Sequence, residues 1–359
     1  MKQTRIYVDG VFDIIHSGHF NALRQAKKLG DILCVGINSD ADVTRAKGSP
    51  LMNVHERAEL AKACKWADEV VEDTPYTPDI KLLDDLNCDY CAHGDDIPYN
   101  EKGECVYDEI IKANRMKIFK RTEGVSTTEI IGRLLLCMLK EKNIVDASTQ
   151  ELSEFSKHRK PVMSSFLATS HRIAEFSNNR TPKDGDRIVY ITGVFDILHI
   201  GIIEILKQAK MKGDFLYVGV YDDDTSQRCL HGKGYPILNL NERVFNLLAL
   251  KYVDEVIIGA PYTITEDMMK HLKVDVVVEG IKKGSDSSNN SNDGVDPYEV
   301  PKKIGKYEEI QTEYDMTNDI LIDRLEKNKD VYIKKYLNKA KKDEEFFGGD
   351  GNKEEVKEV

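Results

Sequence analysis

Two histidines, His16 and His19, stand three residues apart around Gly18 in the segment Gly10-Val11-Phe12-Asp13-Ile14-Ile15-His16-Ser17-Gly18-His19. An apolar strand, Arg5-Ile6-Tyr7-Val8-Asp9, runs into this segment, and a helix from about His19 to Leu29 runs out of it. Both imidazoles and the first free N–H groups of the helix therefore converge on one point, whose natural guest is an anion, phosphate above all. Gly10 permits the tight turn after the strand, and Gly18 lets a ligand approach the backbone closely. Taken alone, the same residues also read as a surface helix start with two solvent histidines. Zinc fits less well, because a third ligand is missing nearby.

Two downstream signals favour phosphate. Lys47-Gly48 follows the second strand in a loop, although alone it reads as one solvated lysine among many. Arg121-Thr122-Glu123-Gly124-Val125-Ser126-Thr127-Thr128 follows the strand ending at Lys120 and opens the last helix of this half. It combines a guanidinium, hydroxyls and a helix N-terminus in eight residues. Bland capping needs only one Ser or Thr, and the remainder suggests a triphosphate clamp.

These signals must be positioned by the elements between them. Strands at Arg5–Asp9, Asp31–Ile37, Glu69–Val71, Asp89–Ala92 and Lys117–Lys120 alternate with helices such as Val54–Trp66 and Asp79–Leu86. Such alternation predicts an α/β fold whose parallel sheet is covered on both faces, with its loops delivered to one edge. The pattern is then written again from Arg187, with Gly193-Val194-Phe195-Asp196-Ile197-Leu198-His199-Ile200-Gly201-Ile202 in place of the first motif. Lys47-Gly48 pairs with Lys233-Gly234, Glu56-Arg57 with Glu242-Arg243, and Pro75-Tyr76-Thr77 with Pro261-Tyr262-Thr263, all 186 residues apart. So long an internal match implies duplication. The expected organisation is a first domain over 1–140, a linker over 141–185 with a helix within Ser164–Phe176, a second domain over 186–330 and a charged C-terminal tail over 331–359. The low-complexity stretch Gly284–Gly294 reads as a mobile loop of the second domain.

The pairing of His-x-Gly-His with Arg-Thr-x-Gly-Val-Ser-Thr-Thr resembles the cytidylyltransferase family, and the tandem arrangement extends the likeness over roughly residues 4 to 325. The resemblance implies two Rossmann-like, doubly wound nucleotidyltransferase domains. It also implies a reaction of CTP with phosphoethanolamine to give CDP-ethanolamine and pyrophosphate, with Mg²⁺ as the accompanying ion and no ligands for it assigned. Carried over by residue, it makes His16, His19, Lys47 and Arg121 catalytic. It makes Gly10, Val11, Phe12, Asp13, Gly18, His93, Gly94, Asp95, Ser126, Thr127 and Thr128 the contacts for CTP. An ammonium-bearing acceptor needs a carboxylate or an aromatic face, for which Asp13, Asp95, Tyr76 and Tyr99 are candidates, and Arg57 is counted as a further substrate contact. Tyr76 reads equally well as loop packing. The choice of ethanolamine over choline rests on the tandem architecture; choline phosphate or glycerol phosphate as acceptor, and a noncatalytic nucleotide-binding regulator, are the rival readings.

The second copy departs where the chemistry is demanding. Ile202 takes the place of His19, Gln311 that of Arg121, Tyr314 that of Gly124, and Glu279-Gly280-Ile281-Lys282 that of His93-Gly94-Asp95-Asp96. Gly193, Val194, Phe195, His199, Lys233 and Arg243 are retained as candidate nucleotide contacts. A catalytically silent supporting domain is the leading expectation, ahead of a sensor for CTP or product and of a second working site.

Composition bounds the rest. The net charge of −11 includes −5 from Asp343 to Val359, seven acidic residues against two lysines, so the body is mildly acidic and nucleic acid is not an expected partner. Seven scattered cysteines, six of them in the first half, suit reduced thiols better than a disulfide framework, and Cys88-Asp89-Tyr90-Cys91 lacks the second pair a zinc site needs. No apolar run reaches membrane-span length and the N-terminus shows no signal-peptide pattern, so the expected location is cytoplasmic. The basic stretch Lys334–Lys342 reads as a solvated helix end with at most weak peripheral lipid contact, and homo-oligomerisation is left open.

Overall fold

The computed structural model of the protein describes residues 2–99, 103–122, 125–142, 168–230, 236–282, 294–315 and 317–348. Glu123, Gly124, Lys233, most of the linker and all but the last residue of the Gly284–Gly294 stretch lie outside the described residues.

The first half runs β1 (Arg5–Gly10), α1 (Ser17–Lys27), β2 (Ile32–Asn38), α2 (Asp40–Lys47), α3 (Val54–Ala63), β3 (Glu69–Thr74), α4 (Ile80–Asp85), β4 (Tyr90–Gly94), α5 (Asp108–Lys112), β5 (Met116–Phe119) and α6 (Thr127–Lys142). A linker helix, α7 (Ser170–Phe176), precedes the second half. This continues as β6 (Ile188–Gly193), α8 (Ile200–Met211), β7 (Phe215–Val220), α9 (Asp223–Cys229), α10 (Leu240–Leu248), β8 (Glu255–Ile258), α11 (Glu266–His271), β9 (Val276–Lys282), α12 (Glu299–Lys303), β10 (Tyr307–Thr312), α13 (Asn318–Lys327) and α14 (Lys329–Gly348).

Each half holds a parallel five-stranded sheet, ordered β3-β2-β1-β4-β5 and β8-β7-β6-β9-β10. The central strands are apolar because both their faces are covered, as the buried runs Ile6-Tyr7-Val8 and Leu33-Cys34-Val35 illustrate. In both sheets the winding reverses beside the first strand, between β1 and β4 and between β6 and β9. Crevices for ligands open at such points, at the carboxyl ends of the strands.

The halves are joined by reciprocal contacts, as a pseudo-two-fold relation requires. Arg133 of α6 makes a forked pair with Glu242 (2.8 and 2.9 Å) and donates to Ile237 O (2.8 Å). Arg324 of α13 forks onto Glu56 (2.6 and 2.8 Å) and donates to Leu51 O (3.1 Å). Glu56 and Glu242 are the capping-box residues of α3 and α10, so each arginine of one half locks a helix start of the other. A short antiparallel bridge pairs Cys64 with Leu250, and one apolar cluster runs from Ile6 and Leu134 to Leu216 and Phe245. Phe176 of α7 is sealed between Trp66 and Phe245, edge-on to both at 5.2 and 5.0 Å.

The segment expected to be a charged tail is corrected here. Its start is the helix α14, whose Tyr332, Ile333, Tyr336 and Leu337 are buried. Tyr336 lies against Gly132 of α6, where a Cβ would come within 2.1 Å of its ring. The lysines of the basic stretch concealed this apolar face, which follows helical spacing at 332, 333, 336 and 337.

Candidate active site

The turn after β1 is held in an unusual conformation. Phe12 and Ile14 adopt positive φ (51° and 46°), which is costly for bulky and especially for β-branched residues. Asp13 between them supplies the restraint: its buried carboxylate accepts the N–H groups of Leu51 (2.7 Å) and Met52 (3.0 Å). Burial pushes the Asp13 carboxyl up, and these two donors hold it down. The second half repeats the device with Phe195 (φ 48°) and Asp196, bonded to Ile237 and Leu238, but Ile197 has no positive φ.

His16 caps α1, its Nδ1 accepting the N–H of Gly18 (3.1 Å). A Cβ on Gly18 would stand 2.9 Å from that ring, so glycine here serves the histidine's own packing. With Nδ1 accepting, a neutral His16 carries its proton on Nε2, which points at Thr127 Oγ1 3.5 Å away. Thr127 spends its hydrogen on Asp13 O (3.2 Å), so it can accept from His16. His19 lies with its ring centroid 4.0 Å from that of His16, and its Nδ1 is sealed from solvent without a hydrogen-bond partner. Burial, with Lys47 and Arg121 nearby, pulls His19 down to about 4, so it is neutral at neutral pH.

These residues share one cavity of about 570 Å³ at the first half's switch point, a size suited to a nucleotide. Lys47 and Arg121 also line it, as do Gly10, Val11, Phe12, Gly18, His93, Gly94, Ser126, Thr127 and Thr128. Lys47 Nζ lies 5.3 Å over the ring of Tyr76. Arg121 pairs with Asp96, a contact that an arriving phosphate would compete for. His93 bonds Gly94 O (3.0 Å) and packs on Tyr107.

Four of the expected acceptor contacts are placed otherwise. Asp13 is spent on Leu51 and Met52. Arg57 is wholly buried, donating to Met52 O (3.1 Å), Val11 O, Asn38 O (2.8 Å) and Asp40 (2.6 Å), so it is a strut beneath the site rather than a ligand for substrate. Asp95 stays outside the cavity lining and accepts the N–H of Arg121 (2.9 Å). Tyr99 is 68% exposed on a loop away from the cavity. Tyr76 does not line the cavity itself but reaches it through Lys47.

Sequence reasoning missed Asp9. It ends an apolar strand, lines the cavity, and accepts Tyr107 Oη (3.0 Å) and Asn38 Nδ2 (3.4 Å). Burial pushes its carboxyl up, against those two donors. A charge closing an otherwise apolar buried strand was the available signal.

In the second half Val194 O accepts from Arg243 (2.7 Å), and Arg243 is buried on Leu238 O (3.1 Å) and Asp223 (2.7 Å), which corrects its reading as a nucleotide contact. Thr192 replaces Asp9, donating to Gly219 O (3.0 Å). The parallel pairings of β4 with β5 and of β9 with β10 place Thr312, not Gln311, at the position of Arg121. The guanidinium is lost either way. His199 survives as a buried cap whose Nδ1 accepts from Ile202 N (3.4 Å).

Burial, partly offset by Glu56, pulls His199 down to about 4. An unfolded histidine titrates near 6.5, so as pH falls the unfolded chain takes the proton first, and stability present above pH 6.5 is lost towards pH 4. Relative to His199→Gln, the wild type is expected to lose about 3 kcal/mol between pH 7 and 4, read by urea unfolding. A pH-independent difference would contradict the burial argument. Asp196, pushed up to about 6 by burial, works in the opposite direction, so the comparison with the variant isolates the histidine.

A cytidylyltransferase-like family model matches residues 7–165 and again 190–338. The chain is 43% identical to an ethanolamine-phosphate cytidylyltransferase of Dictyostelium discoideum over 96% of this chain and 97% of that one. It is 41% identical to one of Arabidopsis thaliana, over 96% and 86% of the two chains. Choline-phosphate cytidylyltransferase A of Rattus norvegicus is 42% identical, but over 37% of each chain. With both halves matched and the similarity running nearly end to end, the chain belongs to the ethanolamine-phosphate cytidylyltransferase family.

Proposed function

We propose that this chain transfers CMP from CTP to phosphoethanolamine, giving CDP-ethanolamine and pyrophosphate for phosphatidylethanolamine synthesis, and that the first half carries the chemistry. The observation that carries the reading is the convergence of His16, His19, Lys47, Arg121 and Thr127 on one cavity at the first switch point. The full-length similarity to ethanolamine-phosphate cytidylyltransferases supports the substrate pair.

An oxygen of the acceptor phosphate attacks the α-phosphorus of CTP; the new P–O bond forms as the bond to the β-phosphate breaks, and pyrophosphate leaves. The nucleophile is already anionic at neutral pH, so the protein's task is alignment and neutralisation rather than deprotonation. His16, His19 and the α1 N-terminus face the α-phosphate, while Lys47 and Arg121 take the remaining phosphate charge. Only contacts that strengthen in the pentavalent transition state raise the rate. Of the cavity's carboxylates, Asp13 is spent on backbone and Asp96 on Arg121, which leaves Asp9 alone, and one carboxylate does not assemble an ion's oxygen shell. These carboxylates do not fit a resident metal, so Mg²⁺ belongs to this reading as part of the substrate, MgCTP. The three described groups that could approach an ion together, His55, Glu59 and Glu72, lie outside the cavity lining, and Lys62 bridges the two glutamates. A cytoplasmic location is part of the same reading, supported by seven free cysteines and by the absence, among the described residues, of any helix long and apolar enough to cross a membrane.

Asp9 is the carboxylate we assign to the acceptor's ammonium, which would stabilise its ionised form. Asp9→Asn is expected to raise KM for phosphoethanolamine by about 10- to 100-fold and to erode the preference over glycerol phosphate, with a smaller change for CTP. Equal losses for both phospho-alcohols would remove Asp9 from recognition. The reading as a whole is tested by labelled CTP with phosphoethanolamine, choline phosphate and glycerol phosphate in parallel. Preferred turnover of phosphoethanolamine supports it, and no pyrophosphate release with any of them sinks it.

A further inference from the structure

We infer that Lys335, carried on α14 beyond the second half, binds a phosphate of the reacting ligands in the first half's cavity. This rests on the reading of that cavity as the reaction site. Lys335 and Tyr332 line it together with Lys47 and Gly48. The Lys335 ammonium stands 2.8 Å from where a Cβ on Gly48 would lie, over the end of α2 at Lys47 and the loop that starts at Gly48, which holds φ 81°. The placement is built rather than incidental: the Tyr332 hydroxyl bonds Ser49 O (2.9 Å) in the same loop, and Tyr336 is seated on Gly132 one helical turn along.

The charge arrangement calls for an anion. Lys335 is half-buried and has no ion-pair partner among the described residues, whereas Lys27, Lys62 and Lys210, at comparable depth, each hold a carboxylate. It faces Lys47, which likewise has no ion-pair partner among the described residues; Arg121, already paired with Asp96, lines the same cavity. Burial and Lys47 pull its titration down, with Asp13 opposing. Gathering cations from opposite ends of a chain into one partly desolvated cavity costs free energy unless an anion joins them. A phosphate, of the nucleotide or of the acceptor, is the anion that the reaction brings there. The second half thereby acquires a role that needs no chemistry of its own: α13, fixed by Arg324 on Glu56, leads directly into the helix that presents Lys335.

The test uses the full chain. Lys335→Gln should weaken phosphate binding by about tenfold or more, with Lys335→Arg restoring most of it. Loss in CTP KM and in pyrophosphate inhibition together assigns the lysine to the nucleotide; loss in phosphoethanolamine KM assigns it to the acceptor. Unchanged values in both arms, in a chain whose wild type is active, overturn the role of Lys335 alone. A wild type that releases no pyrophosphate overturns the site itself and Lys335 with it. Should the variant fold poorly, amine labelling of the wild type decides the matter by mass spectrometry: protection of Lys335 by pyrophosphate or phosphoethanolamine supports the inference, and equal labelling with and without them refutes it.

Discussion

His19→Ala is expected to lower kcat by roughly 10²- to 10³-fold, the cost of deleting one donor aimed at developing charge. The fold should tolerate the change. His19 Nδ1 has no hydrogen-bond partner to lose, so the cost is the ring's packing on His16 and Phe12, about 1–2 kcal/mol. The pairing of a large rate loss with a small stability loss is the signature sought. It follows from the ring's position: beside His16, at the start of α1, in the first half of a chain whose second half has Ile202 at the matching point. Steady-state kinetics with urea unfolding reads both quantities. A rate within threefold of wild type would take His19 out of the reaction.

Arg57→Ala is expected to act in the opposite way, destabilising the protein by about 3–5 kcal/mol. From α3 its fully buried guanidinium holds the carbonyls of Met52 in the preceding loop, Asn38 at the end of β2 and Val11 in the turn after β1, with the Asp40 carboxylate of α2. Removing it leaves the Met52 and Asn38 carbonyls without this donor in a buried place and opens a cavity where the side chain stood. Lysine should rescue little, because an ammonium cannot reproduce the planar fork. If Arg57 contacted the acceptor phosphate instead, the alanine variant would keep wild-type stability and show only a raised KM. Thermal unfolding separates the two outcomes.

Arg57 also shows where sequence reading runs out. The alternation of strands and helices, the doubling and the motif at His16 and His19 are written locally, and the sheets follow from them. An arginine in a helix next to a phosphate-binding loop, however, has the same one-dimensional appearance whether it faces the ligand or the backbone. Its direction is set by Met52 O, Val11 O and Asn38 O, which belong to three separate segments. Tyr99 fails for the converse reason, since its loop carries it outward. Asp9 was hidden by belonging to a strand, and Lys335 by lying among lysines at the far end of the chain, on a helix whose packing partner is α6. The register of β10 against β9 moved the second-half counterpart of Arg121 by one residue, from Gln311 to Thr312, because strand pairing rather than motif spacing sets that correspondence. The reciprocal pairs Arg133–Glu242 and Arg324–Glu56 could be read only once both halves were folded.

The central claim is that one of two similar folds does the chemistry. It is tested most directly by pyrophosphate release from CTP and phosphoethanolamine in a full-length chain carrying His16→Ala and His19→Ala, with the second half untouched. The expected result is loss of at least about 10³-fold of the turnover, since the variant removes both imidazoles that the proposed reaction places at the α-phosphate. Saturable turnover within tenfold of wild type would contradict it, and would show that the fold retaining His199 but lacking the counterpart of His19 is a working site.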